Sequence, residues 1–348
     1  MLYHLIAFLA AIAVVLLVTP IVNDLGHKAG FVDQPNERKI HTRPMVRLGG
    51  VSIFLGNLVG LLIVWNAGGF GVLPQPAEYE IWGVTLGGVA FFLIGLADDL
   101  LTLPALLRLV LQFLVAAIVW AVGVKIRIIT VPFGGTVDLG WLSLPLTTVW
   151  LVGIANAINF IDGVDGLAAG VSGIAALAMF FVCMLMGEPE AGLLAAALAG
   201  GALGFLRYNF NPAQIFMGDG GAYFMGFTLA GLGIIGLVKA YTAVAILLPL
   251  LILAVPIVDT STVIFSRLRR GQSPFAADKR HLHHRLLKAG LSQRVTVLFI
   301  YCLTLWVGSL ALALAGLPGG WGYAVAASLL MGFAAWYVWQ RVRSSEND

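Results

Sequence analysis

Residues 144–186 read LPLTTVWLVGIANAINFIDGVDGLAAGVSGIAALAMFFVCMLM: two apolar runs, 144–161 and 167–186, joined by five residues that include Asp162 and Asp165. Each run is close to the length at which a helix crosses a hydrocarbon core about 30 Å thick. An ionised carboxylate beside hydrocarbon costs about 2.5–3.5 kcal/mol on insertion scales, so each acid there needs a partner or a task. Outward from this pair, further apolar runs occupy 2–22, 48–66, 81–97, 104–122, 191–206, 222–237, 242–265, 295–316 and 321–340, eleven in all. With 60% hydrophobic and 11% charged residues in 348, and a mean hydropathy of +0.96, the composition excludes an ordinary soluble globular protein. The chain is predicted to be an all-α polytopic integral membrane protein of about eleven transmembrane helices.

Seventeen of the twenty Lys and Arg residues fall on one side of such an arrangement, leaving Lys125, Arg127 and Lys239 on the other. The positive-inside rule then sets the amino terminus outside and the carboxyl terminus in the cytoplasm. The first run is preceded by no Lys or Arg and followed by no small-residue cleavage site, so it is read as a membrane helix and not a cleaved signal peptide. Cys183 and Cys302 lie inside apolar runs and are read as packing residues. No convincing internal repeat is seen, which removes the best sequence argument for a transporter of inverted halves. On the outer side, KIRIITVPFGGTVDLGW (125–141) alternates before Gly134-Gly135 and suggests a short β-hairpin. Pro249 and Pro256 predict a kink in the run 242–265.

By helix parity the acids collect at the cytoplasmic ends. Asp98-Asp99 closes the third run before Pro104. Adjacent carboxylates repel, and Mg²⁺, a cationic substrate group or one proton relieves this; the alternative is an acidic cap paired with Arg108. Asn156, Asn159 and Asp162 recur every three residues on roughly one helix face, and Gly163 and Gly166 permit a tight turn around Asp165. They read as a ligand-binding face or as a polar helix-packing network capped by Asp165. Asp219, between Gly218 and Gly220-Gly221, leaves room for a hydrated metal or serves as a simple helix cap. In RLRRGQSPFAADKRHLHHRLLKAG (267–290), His281, His283, His284 and Arg285 form a basic turn suited to a diphosphate, with a transition metal and a plain positive-inside loop as alternatives. Asp259 stands near the end of the ninth run.

Together these four ordered segments, from Gly49 to Arg294, resemble the polyprenyl-phosphate N-acetylhexosamine-1-phosphate transferases, glycosyltransferase family 4, and HLHHRL resembles their GlcNAc-1-phosphate branch. The resemblance implies one catalytic domain over 1–348 that moves a HexNAc-1-phosphate, expected to be GlcNAc-1-phosphate, from a UDP-sugar to a polyprenyl phosphate such as undecaprenyl phosphate. The product is polyprenyl-diphosphate-sugar, with release of UMP, as the first step of a cell-envelope glycopolymer such as lipopolysaccharide or teichoic acid. It further implies catalytic roles for Asp98, Asp99, Asp162 and Asp165, substrate binding by Asn156, Asn159, His281, His283, His284 and Arg285, and Mg²⁺, or Mn²⁺, on Asp219. The implied setting is the inner (cytoplasmic) membrane, with the site facing the cytoplasm. No nucleic-acid partner is expected, and a homodimer is left open. Thr102 departs from the family pattern, which often carries an acid or lysine there. A phospho-MurNAc-pentapeptide translocase is the alternative within the family, and a cation-coupled transporter the alternative outside it, disfavoured by acids at helix ends.

Overall fold

The computed structural model describes all residues except 35–42, 70–74, 132–134, 239–245, 273–279 and 348. The elements are α1 (Leu2–Lys28), β1 (Val32–Asp33), β2 (Met45–Val46), α2 (Gly49–Asn66), α3 (Gln75–Leu101), α4 (Ala105–Val122), β3 (Ile128–Val131), β4 (Gly135–Asp138), α5 (Ser143–Ile161), α6 (Leu167–Met186), α7 (Pro189–Asn209), α8 (Gly218–Leu232), α9 (Leu247–Ile252), α10 (Ala254–Leu268), α11 (Leu282–Lys288), α12 (Gln293–Leu314) and α13 (Gly320–Asn347). Among the described residues ten helices are long and apolar enough to cross a membrane, so this is an all-α, multi-pass membrane protein.

The ninth apolar run departs from a single kinked span. It forms two helices, α9 and α10, broken at Leu253, and its residues 242–245 lie outside the described part. Pro256 has no N–H to offer the carbonyl of Ile252, and its ring crowds that carbonyl, which disrupts the helix at this point. The expected hairpin is present: β3 and β4 pair antiparallel, Ile128 opposite Asp138 and Val131 opposite Gly135, while Gly134 lies outside the described residues. It joins the end of α4 to the start of α5, the ends remote from Asp98-Asp99 and Asp162. A second, two-residue ladder has no precursor in the sequence reading: β1 pairs with β2, Val32 opposite Val46.

The centre of the bundle is α8, which is buried along its length and packs against α2, α3 and α5. Glycine makes this closeness feasible. A Cβ on Gly95 of α3 would stand 2.5 Å from the carbonyl carbon of Asp219 and from the nitrogen of Gly220. A Cβ on Gly50 of α2 would stand 2.5 Å from the Cα of Gly221. Backbones therefore touch where α8 begins, and this contact fixes the position of Asp219.

Gly95→Ala is expected to lower the thermal midpoint in detergent, because overpacking costs about 1–3 kcal/mol and outweighs the gain of about 0.5–1 kcal/mol in helix propensity. Gly153→Ala, where the added carbon meets nothing within 4 Å, serves as the control and is expected to match or slightly exceed the wild-type midpoint. Equal midpoints for the two variants would show that α3 and α8 are not in backbone contact.

Candidate active site

The residues before α2 set the first wall. Phe216 N–H donates to the carbonyl of Val46 at 2.9 Å, Gly49 N–H to that of Phe216 at 2.9 Å, and Gly50 N–H to that of Met217 at 2.7 Å. This docking carries Arg47 over the start of α8, where its guanidinium lies 3.8 Å from Asp99 and 3.7 Å from Asp219. Burial works against the charge on Arg47, yet Asp99 and Asp219 hold its pKa above the ordinary guanidinium value.

The side chain of Asp99 is only 2% exposed, and its two oxygens accept from the backbone N–H groups of Asp219 and Gly220, each at 3.0 Å. It therefore caps α8 from a neighbouring helix. Asp98 binds Arg108 of α4 and accepts the Leu103 N–H at 2.7 Å, holding the turn in which Thr102 takes a left-handed backbone, φ 53°. Thus the pairing of Asp98 with Arg108, one of the two sequence readings, is what forms.

Asp219 sits between these groups. Its Oδ2 accepts from Arg108 at 3.1 Å and its Oδ1 from Asn159 at 3.0 Å. Asp219 is itself in the wall of a cleft of about 900 Å³, together with Arg47, Asn159, Asp162, Asp165 and His284. Asp162, just past α5, has its carboxyl pushed up to about 7 by burial; Arg47 opposes the shift, and Asp99 and Asp165 add to it. Asp165 pins the 211–213 segment, accepting from Asn211 Nδ2 and from the Ala213 N–H, each at 3.0 Å. Asn211 in turn donates to Gln293 at 2.6 Å. Asn156 points to Gln112 of α4, at 2.7 Å, as the helix-packing reading had it.

The histidines separate. His281 and His283 are buried, Arg285 is exposed, and His284 alone of the four is in the cleft wall. His281 Nδ1 lies 2.8 Å from Asp259. His283 packs over Gly163, where a Cβ would stand 2.6 Å from its Nε2, and burial, with His284 second, lowers its pKa to about 3.

Residues 81–237 match the family model described as Glycosyl transferase family 4, a range that holds Asp98, Asp99, Asp162, Asp165 and Asp219. Over most of its length the chain also resembles curated proteins. It is 40% identical to a probable undecaprenyl-phosphate N-acetylglucosaminyl 1-phosphate transferase of Bacillus subtilis, covering 85% of this chain and 80% of that one. The chain belongs to glycosyl transferase family 4. Among other relatives of this family 4 protein are the decaprenyl-phosphate N-acetylglucosaminephosphotransferase of Mycobacterium tuberculosis, 38% identical over 83% of this chain and 76% of the relative. An undecaprenyl-phosphate alpha-N-acetylglucosaminyl 1-phosphate transferase of Salmonella typhi is 28% identical over 78% and 73%.

Sequence reasoning assigned no site role to Arg47 and treated Arg108 as a capping cation; the structure of the family 4 chain brings both to Asp219. The signals were the Gly49-Gly50 pair directly after Arg47-Leu48 and the helix start at Pro104, four residues before Arg108. As for a metal, among the described residues no three acids or histidines converge into a ready ligand set. Asp219 nevertheless draws a guanidinium to each of its oxygens. Mg²⁺ usually takes one or two carboxylates and completes its shell with waters and substrate phosphates. Asp33, Asp162, Asp165 and Asp219 are the carboxylates in the described cleft wall, the hard oxygen donors that such an ion would use.

Two outcomes follow from these contacts. Asp99→Ala would strand two buried N–H groups at about 1–3 kcal/mol each, so it is expected to lower the thermal midpoint more than Asp219→Asn, which keeps the Asn159 contact and leaves Arg108 paired with Asp98 and Arg47 beside Asp99; the reverse order would show that Asp99 is not the anchor of α8. His283, with its pKa lowered to about 3 against 6.5 unfolded, contributes stability that is full above pH 6.5 and is lost as the pH falls toward 3. The melting temperature should therefore drop less between pH 6.5 and 4 in His283→Gln than in wild type, and parallel curves would contradict this.

Proposed function

We propose that this chain transfers GlcNAc-1-phosphate from UDP-GlcNAc to a polyprenyl phosphate, with residues 1–348 acting as one catalytic unit; its core residues from α1 to α12 join one apolar cluster. The names of the relatives support the sugar and the lipid class. The single observation that carries the reading is the position of Asp219 between two compartments. Asn159 and Arg47, the neighbours of its Oδ1, line the polar cleft, and its Oδ2 meets Arg108 on α4, whose Leu106, Leu107, Val110 and Leu114 are exposed on a membrane helix. A water-soluble donor would fill the cleft, and a lipid phosphate would arrive along α4.

A lipid phosphate monoester is largely dianionic at pH 7, with a second pKa of about 6, and needs no strong base. One of its oxygens attacks the β-phosphorus of the donor; the bond from that phosphorus to the bridging oxygen breaks, and UMP leaves with the electron pair. Positioning and charge neutralisation govern such a step. Arg47 and His284 would orient the donor phosphates, and Arg108, held by Asp98, would receive the lipid phosphate. Asp162 borders the donor cleft and Asp165 fixes the 211–213 wall. Asp219 would hold Mg²⁺ together with the donor phosphates. When bound, the ion supplies positive charge that offsets the diphosphate and the departing UMP. The acid-bearing helix ends share their side with most of the Lys and Arg residues, which supports a cytoplasmic-facing site in an inner membrane.

Detergent-solubilised protein with labelled UDP-GlcNAc and undecaprenyl phosphate is expected to release UMP and to form a lipid-linked GlcNAc-1-phosphate, sensitive to chelator. Asp219→Asn should abolish turnover while the protein stays folded. Release of UMP only from UDP-MurNAc-pentapeptide, or no UMP from any UDP-sugar, would overturn the assignment.

A further inference from the structure

Asp259, on α10, is absent from the cleft wall, yet it is buried and fully engaged. Its Oδ2 lies 2.8 Å from His281 Nδ1, and its Oδ1 accepts the N–H of Leu282 at 2.7 Å, the first residue of α11. One carboxylate thus holds both the ring and the backbone at the point where the histidine helix begins. About two turns further along α10, Ser266 accepts a hydrogen bond from Arg280 at 3.1 Å, a second tie between the same two segments.

From this anchor a row of rings leads to the cleft. His281 and His283 stand nearly parallel, with centroids 5.8 Å apart; His283 and His284 are 4.3 Å apart, and His284 is in the cleft wall. His281 also lies 5.9 Å from Phe160 of α5, and His283 rests on Gly163, so the row is seated against the segment that carries Asp162. A buried carboxylate–imidazole pair is a poor device for stability alone, since apolar side chains of similar volume often serve as well as buried polar partners or better. What such a pair does supply is a fixed geometry.

We propose that Asp259 is a positioning residue for the transfer reaction: by fixing His281 and the start of α11 it sets the place of His284 in the cleft. The inference rests on the reading of the cleft as the transferase site. It also explains why three histidines are present when one reaches the cleft. His281 and His283 form the support and His284 is the working end.

The role concerns shape, and this separates it from a chemical role for the charge. Asn at 259 keeps the size and both contacts once His281 adopts its other tautomer, with Nδ1 accepting from the amide. Glu keeps the charge and moves it by a methylene. UMP release is measured for wild type, Asp259→Ala, Asp259→Asn, Asp259→Glu, His284→Ala and the Asp259→Ala/His284→Ala double variant, each with a melting curve. Asp259→Ala and Asp259→Glu are expected to lose about tenfold or more in kcat, since the bonds removed or displaced involve a charged group, with the KM for polyprenyl phosphate unchanged. Asp259→Asn should stay within about threefold of wild type, and Asp259→Ala should add less than about twofold to the loss in His284→Ala. If Asp259→Asn is as damaging as Asp259→Ala, or if the losses of the double variant multiply, the proposal fails. Should Asp259→Ala not fold, the Asn and Glu pair decides in the same way. Wild type that releases no UMP would instead defeat the reading of the cleft.

Discussion

A carboxylate in an apolar bundle must be compensated, and the contacts around Asp219 are how this fold meets that constraint. Arg108 and Asn159 bond its two oxygens, Arg47 stands beyond, and Asp99 holds the backbone on which it sits. These partners come from α3, α4, α5 and the segment before α2. Satisfying one acid therefore fixes four parts of the chain relative to one another. The glycine contacts at Gly50 and Gly95 are the steric half of the same arrangement, because the bonds form only when the backbones approach closely.

The acids consequently divide by what each one holds, in a way their sequence motifs do not show. Asp98-Asp99 is one motif, but Asp99 caps α8 while Asp98 presents Arg108. Asp162 and Asp165 are three residues apart, yet the first borders the cleft with its carboxyl pushed to about 7, and the second accepts from Asn211 and Ala213. The histidine segment divides likewise, with one ring in the cleft wall and two behind it. In such a site the groups that border the cleft are held in place by others that do not border it.

The membrane helices and the β3–β4 hairpin were legible in the sequence because their signals are local: run length, alternation and turn glycines. The gathering of the acids followed from parity alone. What local signals cannot carry is partnership across the chain. Asp99 and Asp219 are 120 residues apart, Arg108 and Asp219 are 111 apart, and neither spacing has a period. Arg47 reads as one more positive-inside residue until the docking of residues 46–50 on 216–217 is seen. The break at Leu253 was half legible, since proline announces a disturbance without saying how large it is.

The account depends on Asp219 being the point where a cation joins the donor cleft to the lipid side. Anomalous diffraction from crystals containing Mn²⁺ and UDP-GlcNAc tests this most directly, because the ion is located without reference to activity. The account predicts a single strong peak against the Asp219 carboxylate, on its cleft side and in contact with the donor phosphates. A peak among His281, His283 and His284, or at Asp98 with none at Asp219, would contradict it.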